Sequence, residues 1–210
     1  DTNRLRYPWL DGIPLLNKPY LLEDYNKATG PVQVEKMVFL QCECEPSQFM
    51  QEAEWVTEQA KIDPRIQGIV PWAPLEQGDA GRVHLEALAR NPLIKGVRRI
   101  IQFEPDPDFC LRPDFVRGVR ALADYGLSFD ICIHEGQMAN TIKMVQQCPN
   151  VQFILDHIGK PQIKNQLMEP WRTEIKQLAG LPNVWCKVSG LVTEADHKHW
   201  TPADLRPYID

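Results

Sequence analysis

Short apolar runs alternate along this chain with longer segments of helical periodicity, beginning at Lys36. Six of the runs have the length of strands, and each is followed by a helix-like segment, as in parallel β-α-β units. The runs are residues 37–42, 68–72, 96–101, 129–134, 151–156 and 184–189. Because they are continuously apolar, we expect helices to cover the sheet and bury these strands on both faces.

Such a sheet is either a closed barrel or an open, doubly wound sheet. The glycine-rich turns that hold phosphates in open nucleotide-binding sheets are missing, which favours the barrel. We therefore predict an α/β fold of the (β/α)8 TIM type, formed by residues 1–210 as a single domain. A closed barrel has eight strands, and residues 1–31 have the character of a long loop. We expect the first and last strands to be missing from this chain, leaving the barrel incomplete at both ends.

Charge and composition limit the kind of partner. The formal net charge is -5, with acidic and basic residues interspersed, so no basic surface is predicted for nucleic acid. No apolar stretch approaches the length of a membrane span. The six cysteines are scattered, several of them within apolar runs, as reduced thiols are in the cytoplasm. Cys42 and Cys44 could form half of a metal site, but buried thiols are the preferred interpretation.

Catalytic groups of TIM barrels lie at the carboxyl ends of the strands. A histidine there can act as an acid, a base or a metal ligand, and an arginine can bind a carboxylate. Structural roles remain open for each of these residues. The polar and aromatic residues near the predicted strand ends are Gln41, Trp72, Arg98, Arg99, His134, Asp156, His157, Lys187 and Ser189.

Side-chain alternation along strands narrows the choice. Asp130, Cys132 and His134 share one face, which we predict to be the interior face. If His157 points inward, Asp156 should point outward. Only one of two adjacent arginines, Arg98 and Arg99, can face the interior, so the other should form a salt bridge or lie at the surface. Lys187 needs a carboxylate or a substrate oxygen to offset its desolvation, unless its ammonium group reaches the solvent.

Six stretches of the chain resemble the amidohydrolase-related lactonases, a family that includes sugar-acid lactonases and 2-pyrone-4,6-dicarboxylate lactonases. They occur in the family order and at similar intervals. They begin at Tyr7-Pro8-Trp9-Leu10, Lys95-Gly96-Val97-Arg98, Gly126-Leu127-Ser128, Leu155-Asp156-His157-Ile158-Gly159-Lys160-Pro161, Pro182-Asn183-Val184 and Leu205-Arg206-Pro207-Tyr208.

The resemblance implies a distorted barrel of the amidohydrolase superfamily that opens a lactone by adding water. Its active site combines a His-x-His pair and an aspartate, neither of which this chain matches, with a histidine that corresponds to His157. That histidine would be catalytic, as an electrophile or as a ligand of one divalent metal, zinc, if a metal is used. The residues expected to bind the substrate are Arg98, Gln41, Trp72, His134, Lys187 and Trp9.

Two other functions remain open. The same barrel can serve an amidohydrolase-type decarboxylase or another metal-dependent hydrolase, because the fold does not fix the reaction. The chain could also be a non-catalytic binding or scaffold relative. We expect a small-molecule lactone or carboxylate as the substrate, with a role in carbohydrate metabolism and no nucleic-acid or membrane partner. Association into a homo-oligomer is left open.

Overall fold

The computed structural model describes residues 1–210 and contains six parallel strands that follow one another in chain order. One sheet has two strands, β1 (Met37–Leu40) and β2 (Ile66–Val70). The other has four strands in the order β3 (Gly96–Val97), β4 (Ser128–Ile131), β5 (Phe153–Leu155) and β6 (Val184–Cys186). A single bridge from Ile69 to Ile94 connects the two sheets. This arrangement confirms the predicted α/β barrel wall, with six strands in sequential order.

The first helix precedes the first strand, and the other helices follow strands, the longer ones packing against the sheet. The helices are α1 (Leu22–Thr29), α2 (Phe49–Ile62), α3 (Arg82–Ala89), α4 (Pro113–Ala121), α5 (Met138–Gln147), α6 (Trp171–Ala179), α7 (Leu191–Glu194) and α8 (Pro202–Leu205). Pro113 opens α4, at a position where a missing N–H costs nothing. None of the helices combines the length and the apolar character needed to cross a membrane.

Three phenylalanines show which face of the sheet packs against the helices. The ring of Phe115, in α4, lies 6.0 Å from that of Phe129 in β4, which lies 6.1 Å from that of Phe153 in β5. All three are fully buried. Because side chains alternate along a strand, Asp130 between Phe129 and Ile131 points to the opposite face, away from α4.

All the strands end earlier than predicted, and all except β2 are also shorter than predicted. β3 ends at Val97 and β5 at Leu155, although the apolar runs suggested ends at residues 101 and 156. Backbone groups beyond these ends bond outside the ladder; the Ile101 and Gln102 N–H groups, for example, both bond to the Cys132 carbonyl. The residues just beyond these strand ends, which take no part in strand pairing, carry most of the polar groups described below.

The amino-terminal segment is more ordered than the predicted loop. It contains α1 and a short turn of 3₁₀ helix at Pro8–Leu10. The Asp24 carboxylate accepts the Leu21 N–H at 2.9 Å and so caps the start of α1. None of the residues of α1 is buried, which explains why no apolar periodicity announced this helix.

Candidate active site

Four charged side chains meet at the carboxyl ends of β3 to β6. They are Arg98 after β3, Asp130 in β4, Asp156 after β5 and Lys187 after β6. Strand register brings them together, because Leu155 of β5 pairs with Cys186 of β6. The next residues, Asp156 and Lys187, therefore leave their strands side by side. We call these four residues the ion cluster.

The Asp156 carboxylate lies at the centre of the ion cluster. Its Oδ2 atom is 3.0 Å from Arg98 Nη1, and its Oδ1 atom is 2.7 Å from Lys187 Nζ. Lys187 Nζ also contacts Asp130 Oδ2 at 2.5 Å. Arg98 Nη2 donates to the backbone carbonyl of Gln41 at 2.5 Å. Two cations thus face two carboxylates, and the cluster is electrically balanced.

Burial makes this balance important for stability. Asp156 and Asp130 have side-chain exposures of 0% and 1%. Burial raises the pKa of Asp130, although the Lys187 ammonium opposes the shift. Burial also disfavours the charged form of Lys187, but hydrogen bonds to the two carboxylates outweigh it and raise the pKa of Lys187. Removing one partner from such a group leaves an uncompensated buried charge, at a cost of about 3–5 kcal/mol.

The position of Asp156 corrects the expectation that it points outward. Alternation between the two faces holds only while the backbone is extended, and it ends at this residue. His157 has a φ of 56°, in the left-handed region. Asp156 and His157 can therefore both lie on the side of Lys187 and Ser189, with which they form hydrogen bonds.

The adjacent arginines separate as predicted. Arg98 joins the ion cluster, whereas Arg99 forms salt bridges with Glu76 and Glu104. The Arg99 guanidinium also lies 5.1 Å from the centre of the Phe109 ring. Arg99 is therefore bound to the loops outside the ion cluster.

Residues 157–160 form a turn in which every φ is positive, which we call the left-handed turn. The φ angles are 56° at His157, 48° at Ile158, 72° at Gly159 and 52° at Lys160. Left-handed backbone is unfavourable for residues other than glycine. Three hydrogen bonds hold the turn in place. The Ile158 N–H donates to the Lys187 carbonyl, Trp171 Nε1 donates to the Ile158 carbonyl, and the Lys160 N–H donates to the His157 carbonyl.

The His157 ring is held from two sides. Its Nδ1 atom is 2.9 Å from Ser189 Oγ, and a Cβ on Gly190 would lie only 2.9 Å from the ring. Burial lowers the pKa of His157, and the positive charges of Lys160 and Arg98 act in the same direction against the Asp156 charge. The imidazole is therefore neutral at pH 7. In the tautomer whose proton is on Nδ1, the ring donates to Ser189 Oγ and Nε2 has a free lone pair.

A second polar group, which sequence reasoning missed, lies beside the left-handed turn. Lys160 Nζ donates to Gln102 Oε1 and lies 3.6 Å from Cys132 Sγ. Gln102 and Cys132 follow β3 and β4, so they occupy the same end of the sheet as the ion cluster. The sequence signal was present, since Lys160 belongs to the Asp-His-Ile-Gly-Lys-Pro segment, but no spacing rule distinguished it from a surface lysine.

Gln41 is connected to the site through its backbone. Its side chain is fully buried and exchanges two hydrogen bonds of 2.6 Å with Glu43, one with the carboxylate and one with the backbone N–H. Its carbonyl oxygen receives Arg98. The Gln41 side-chain amide is thus already engaged within the loop after β1.

Three other predicted substrate-binding residues lie outside the ion cluster. The Trp72 ring packs 5.2 Å from that of Phe49 in the core. His134 is exposed, and its backbone N–H is bonded to Gln137 Oε1. Trp9 is 49% exposed and donates from Nε1 to the Cys42 carbonyl at 2.8 Å. Roles for these residues in substrate binding stay predictions.

An apolar groove of about 380 Å³ runs beside β1, between α1 and α2. Its walls are almost entirely apolar, with Tyr20, Tyr25 and Trp55 among them, and it shares no residue with the ion cluster. Because chemistry on a polar bond needs polar groups, we assign the active site to the ion cluster and the left-handed turn instead.

The side chains present do not fit a zinc ion. No three His, Cys, Asp or Glu side chains lie close enough together to hold a metal, whereas catalytic zinc takes three protein ligands. The carboxylates of Asp130 and Asp156 are bound to Lys187 and Arg98. The remaining candidate ligand atoms in this group are those of the His157 ring and Asp130 Oδ1, which is buried without a hydrogen-bond partner.

Comparison with known proteins identifies the family. The model of the amidohydrolase family matches residues 4–210. An L-fucono-1,5-lactonase of Burkholderia multivorans is 31% identical, with 95% of this chain and 68% of the relative covered. The crystal structure of an amidohydrolase from Burkholderia multivorans with bound zinc is 29% identical, has a TM-score of 0.83, and is matched over 97% of this chain and 72% of that one.

A more distant structure supports the fold alone. It is a putative 2-pyrone-4,6-dicarboxylic acid hydrolase from Pseudomonas putida, with 18% identity and a TM-score of 0.67 over 95% of this chain and 70% of that one. Together with the parallel strands and the polar groups at their carboxyl ends, the family match confirms the resemblance found in the sequence. This chain belongs to the amidohydrolase family.

Proposed function

We propose that this protein is a hydrolase that opens the ester bond of a small lactone, either a sugar-acid lactone or a pyrone carboxylate. The observation that carries the proposal is the position of the His157 imidazole, which Ser189 and the left-handed turn fix beside the ion cluster. The 31% identical relative described as an L-fucono-1,5-lactonase supports a lactone as the substrate.

In this reaction water adds to the ester carbonyl and the bond to the ring oxygen breaks. The ring oxygen takes a proton, and the new carboxylic acid releases one at neutral pH. A neutral imidazole can accept or share a proton at Nε2 near pH 7, while its Nδ1 stays bonded to Ser189. The ion cluster is electrically balanced, and its buried carboxylates fix Arg98 and Lys187 at the strand ends; the Lys187 carbonyl in turn holds the turn that carries His157.

The test is a pH-indicator assay against sugar 1,4- and 1,5-lactones, including L-fucono-1,5-lactone, and against 2-pyrone-4,6-dicarboxylate. We compare the protein with its His157→Asn variant, because asparagine tolerates left-handed backbone and should keep the turn. His199→Asn is the matched control, since His199 is exposed and forms an exposed ion pair with Asp196. We expect His157→Asn to lower acid release about 10²–10⁴-fold and the control to leave it unchanged.

Each other outcome points elsewhere. Carbon dioxide without acid release would indicate a decarboxylase, and the absence of any reaction would indicate a binding or scaffold role. Equal acid release by His157→Asn and the unmodified protein would contradict the assigned role of His157. A parallel series with chelator, then with added zinc, asks whether the metal seen in the 29% identical relative is also needed here.

A further inference from the structure

The charge balance of the site leaves one cation without an anion. In the ion cluster Arg98 and Lys187 are matched by Asp130 and Asp156. Lys160 is half-buried at the same end of the sheet and forms no salt bridge. Its two contacts are with uncharged atoms, the Gln102 amide oxygen and the Cys132 sulfur.

The surroundings of Lys160 do not supply the missing negative charge. Burial raises the pKa of the Cys132 thiol, so this group is neutral at pH 7 even though Lys160 and Arg98 oppose the shift. Gln102 is neutral at every pH. The Asp156 carboxylate is already shared by Arg98 and Lys187. A partly desolvated ammonium group with only neutral partners is costly unless an anion joins it in the working state.

The backbone places Lys160 and His157 in the same turn. Both residues belong to the left-handed turn, closed by the hydrogen bond of 2.9 Å from the Lys160 N–H to the His157 carbonyl. Lys160 itself has a φ of 52°, a conformation that costs a non-glycine residue free energy. Its charge is also one of the influences that lower the pKa of His157. The left-handed turn therefore carries both the His157 imidazole, where proton transfer takes place, and the Lys160 ammonium group, which has no anionic partner.

We propose that Lys160 is the anion-binding residue of this site and holds the carboxylate that appears when the lactone opens. This inference rests on the proposed function and specifies the ligand: a ring-opened hydroxycarboxylate, bound with one oxygen at Lys160 Nζ. Lys160 contributes positive charge and hydrogen bonds. Binding of the product completes the charge balance that the free site lacks.

The experiment measures binding without turnover. Isothermal titration compares L-fuconate and the ring-opened product of 2-pyrone-4,6-dicarboxylate with L-fucitol, which lacks the carboxylate. The variants are Lys160→Asn, which removes the charge but suits left-handed backbone, and Lys160→Arg, which keeps the charge. Lys164→Asn is the control, because Lys164 is exposed in the next turn of the same connection.

We expect Lys160→Asn to weaken binding of at least one carboxylate tenfold or more, and Lys160→Arg and Lys164→Asn to weaken it less than threefold. L-fucitol should bind no differently to any variant. Thermal melting of each variant checks that the fold is intact. Unchanged carboxylate affinity in a folded Lys160→Asn variant would overturn the proposal, and so would the absence of carboxylate binding to the unmodified protein.

The outcome separates the two proposals. Binding that depends on Lys160, in a protein that opens no lactone, would keep the anion site and remove the lactonase function. Lactone opening at full rate by Lys160→Asn, with product affinity unchanged, would keep the lactonase function and remove the anion site.

Discussion

A buried glutamate in α2 makes the stability of this protein depend on pH. Glu52 is 1% exposed. Its Oε1 atom accepts hydrogen bonds from the Tyr7 hydroxyl at 3.1 Å and from the Cys42 N–H at 3.4 Å, whereas its Oε2 atom has no hydrogen-bond partner. Burial raises the pKa of Glu52 from 4.5 to about 7, although both hydrogen bonds act in the opposite direction. The folded state therefore prefers the protonated acid.

The sign and the size of the effect follow from this shift. Between pH 4.5 and 7 the unfolded chain has lost the Glu52 proton while the folded chain retains it, so the free energy of unfolding falls as the pH rises. At about 1.4 kcal/mol per pKa unit, the loss reaches about 3 kcal/mol by pH 8. Glutamine has the shape and charge of the protonated acid, so Glu52→Gln should recover most of that loss.

Denaturant titrations of the unmodified protein and Glu52→Gln from pH 5 to pH 8.5 measure this difference. We expect the variant to be the more stable by about 3 kcal/mol at pH 8 and the two to converge near pH 5. Glu54→Gln is the matched control, because Glu54 is exposed on the same helix and should change stability by less than about 0.5 kcal/mol. A Glu52→Gln variant that is less stable at pH 8, or equally pH-dependent, would refute the reasoning.

Three further predictions concern the site. Asp156→Asn should lower the free energy of unfolding by about 3–5 kcal/mol, measured by denaturant titration. Asp196→Asn, which changes an exposed pair with His199, should lower it by less than about 1 kcal/mol, and equal losses would contradict the role of burial. Gly190→Ala should lower turnover about 10- to 100-fold, because the new methyl group would meet the His157 ring. Gly126 has a similar φ but open space around it, so Gly126→Ala should leave turnover unchanged. Similar rates for the two variants would show that the contact with His157 is unimportant. Burial lowers the pKa of His157, so the neutral imidazole should persist below pH 6.5. The acidic limb of the pH profile of kcat/KM should therefore lie below pH 6.5, and an acidic limb above that value would exclude His157 as the titrating group.

The strand pattern was the part of the fold that the sequence predicted best. Valine- and isoleucine-rich runs located all six strands, because a strand buried on both faces must be apolar along its length. The ends were less accurate, since hydrophobicity continues past the last ladder bond. Residues 98–101, for example, are in part buried although they lie outside β3.

The site could be predicted only where the backbone stays regular. Arg98 and Lys187 were identified from their position at strand ends, and Arg99 was correctly separated from Arg98. Alternation failed at Asp156, because nothing in the residue types of an Asp-His-Ile sequence announces two successive left-handed residues. Lys160 was missed for the same reason: its approach to Gln102 and Cys132 depends on that turn rather than on a periodic pattern.

The left-handed turn also restricts how this site can be redesigned. A library that varies residues 157–160 freely would mostly sample side chains that reject positive φ. At position 159 a new side chain would in addition require the Met138 methyl group to move. Positions 102 and 132, which meet the Lys160 ammonium from neighbouring strand ends, carry no such backbone demand. Substitutions at positions 102 and 132 are therefore a better way to change which ligand binds beside Lys160 than substitutions within the left-handed turn.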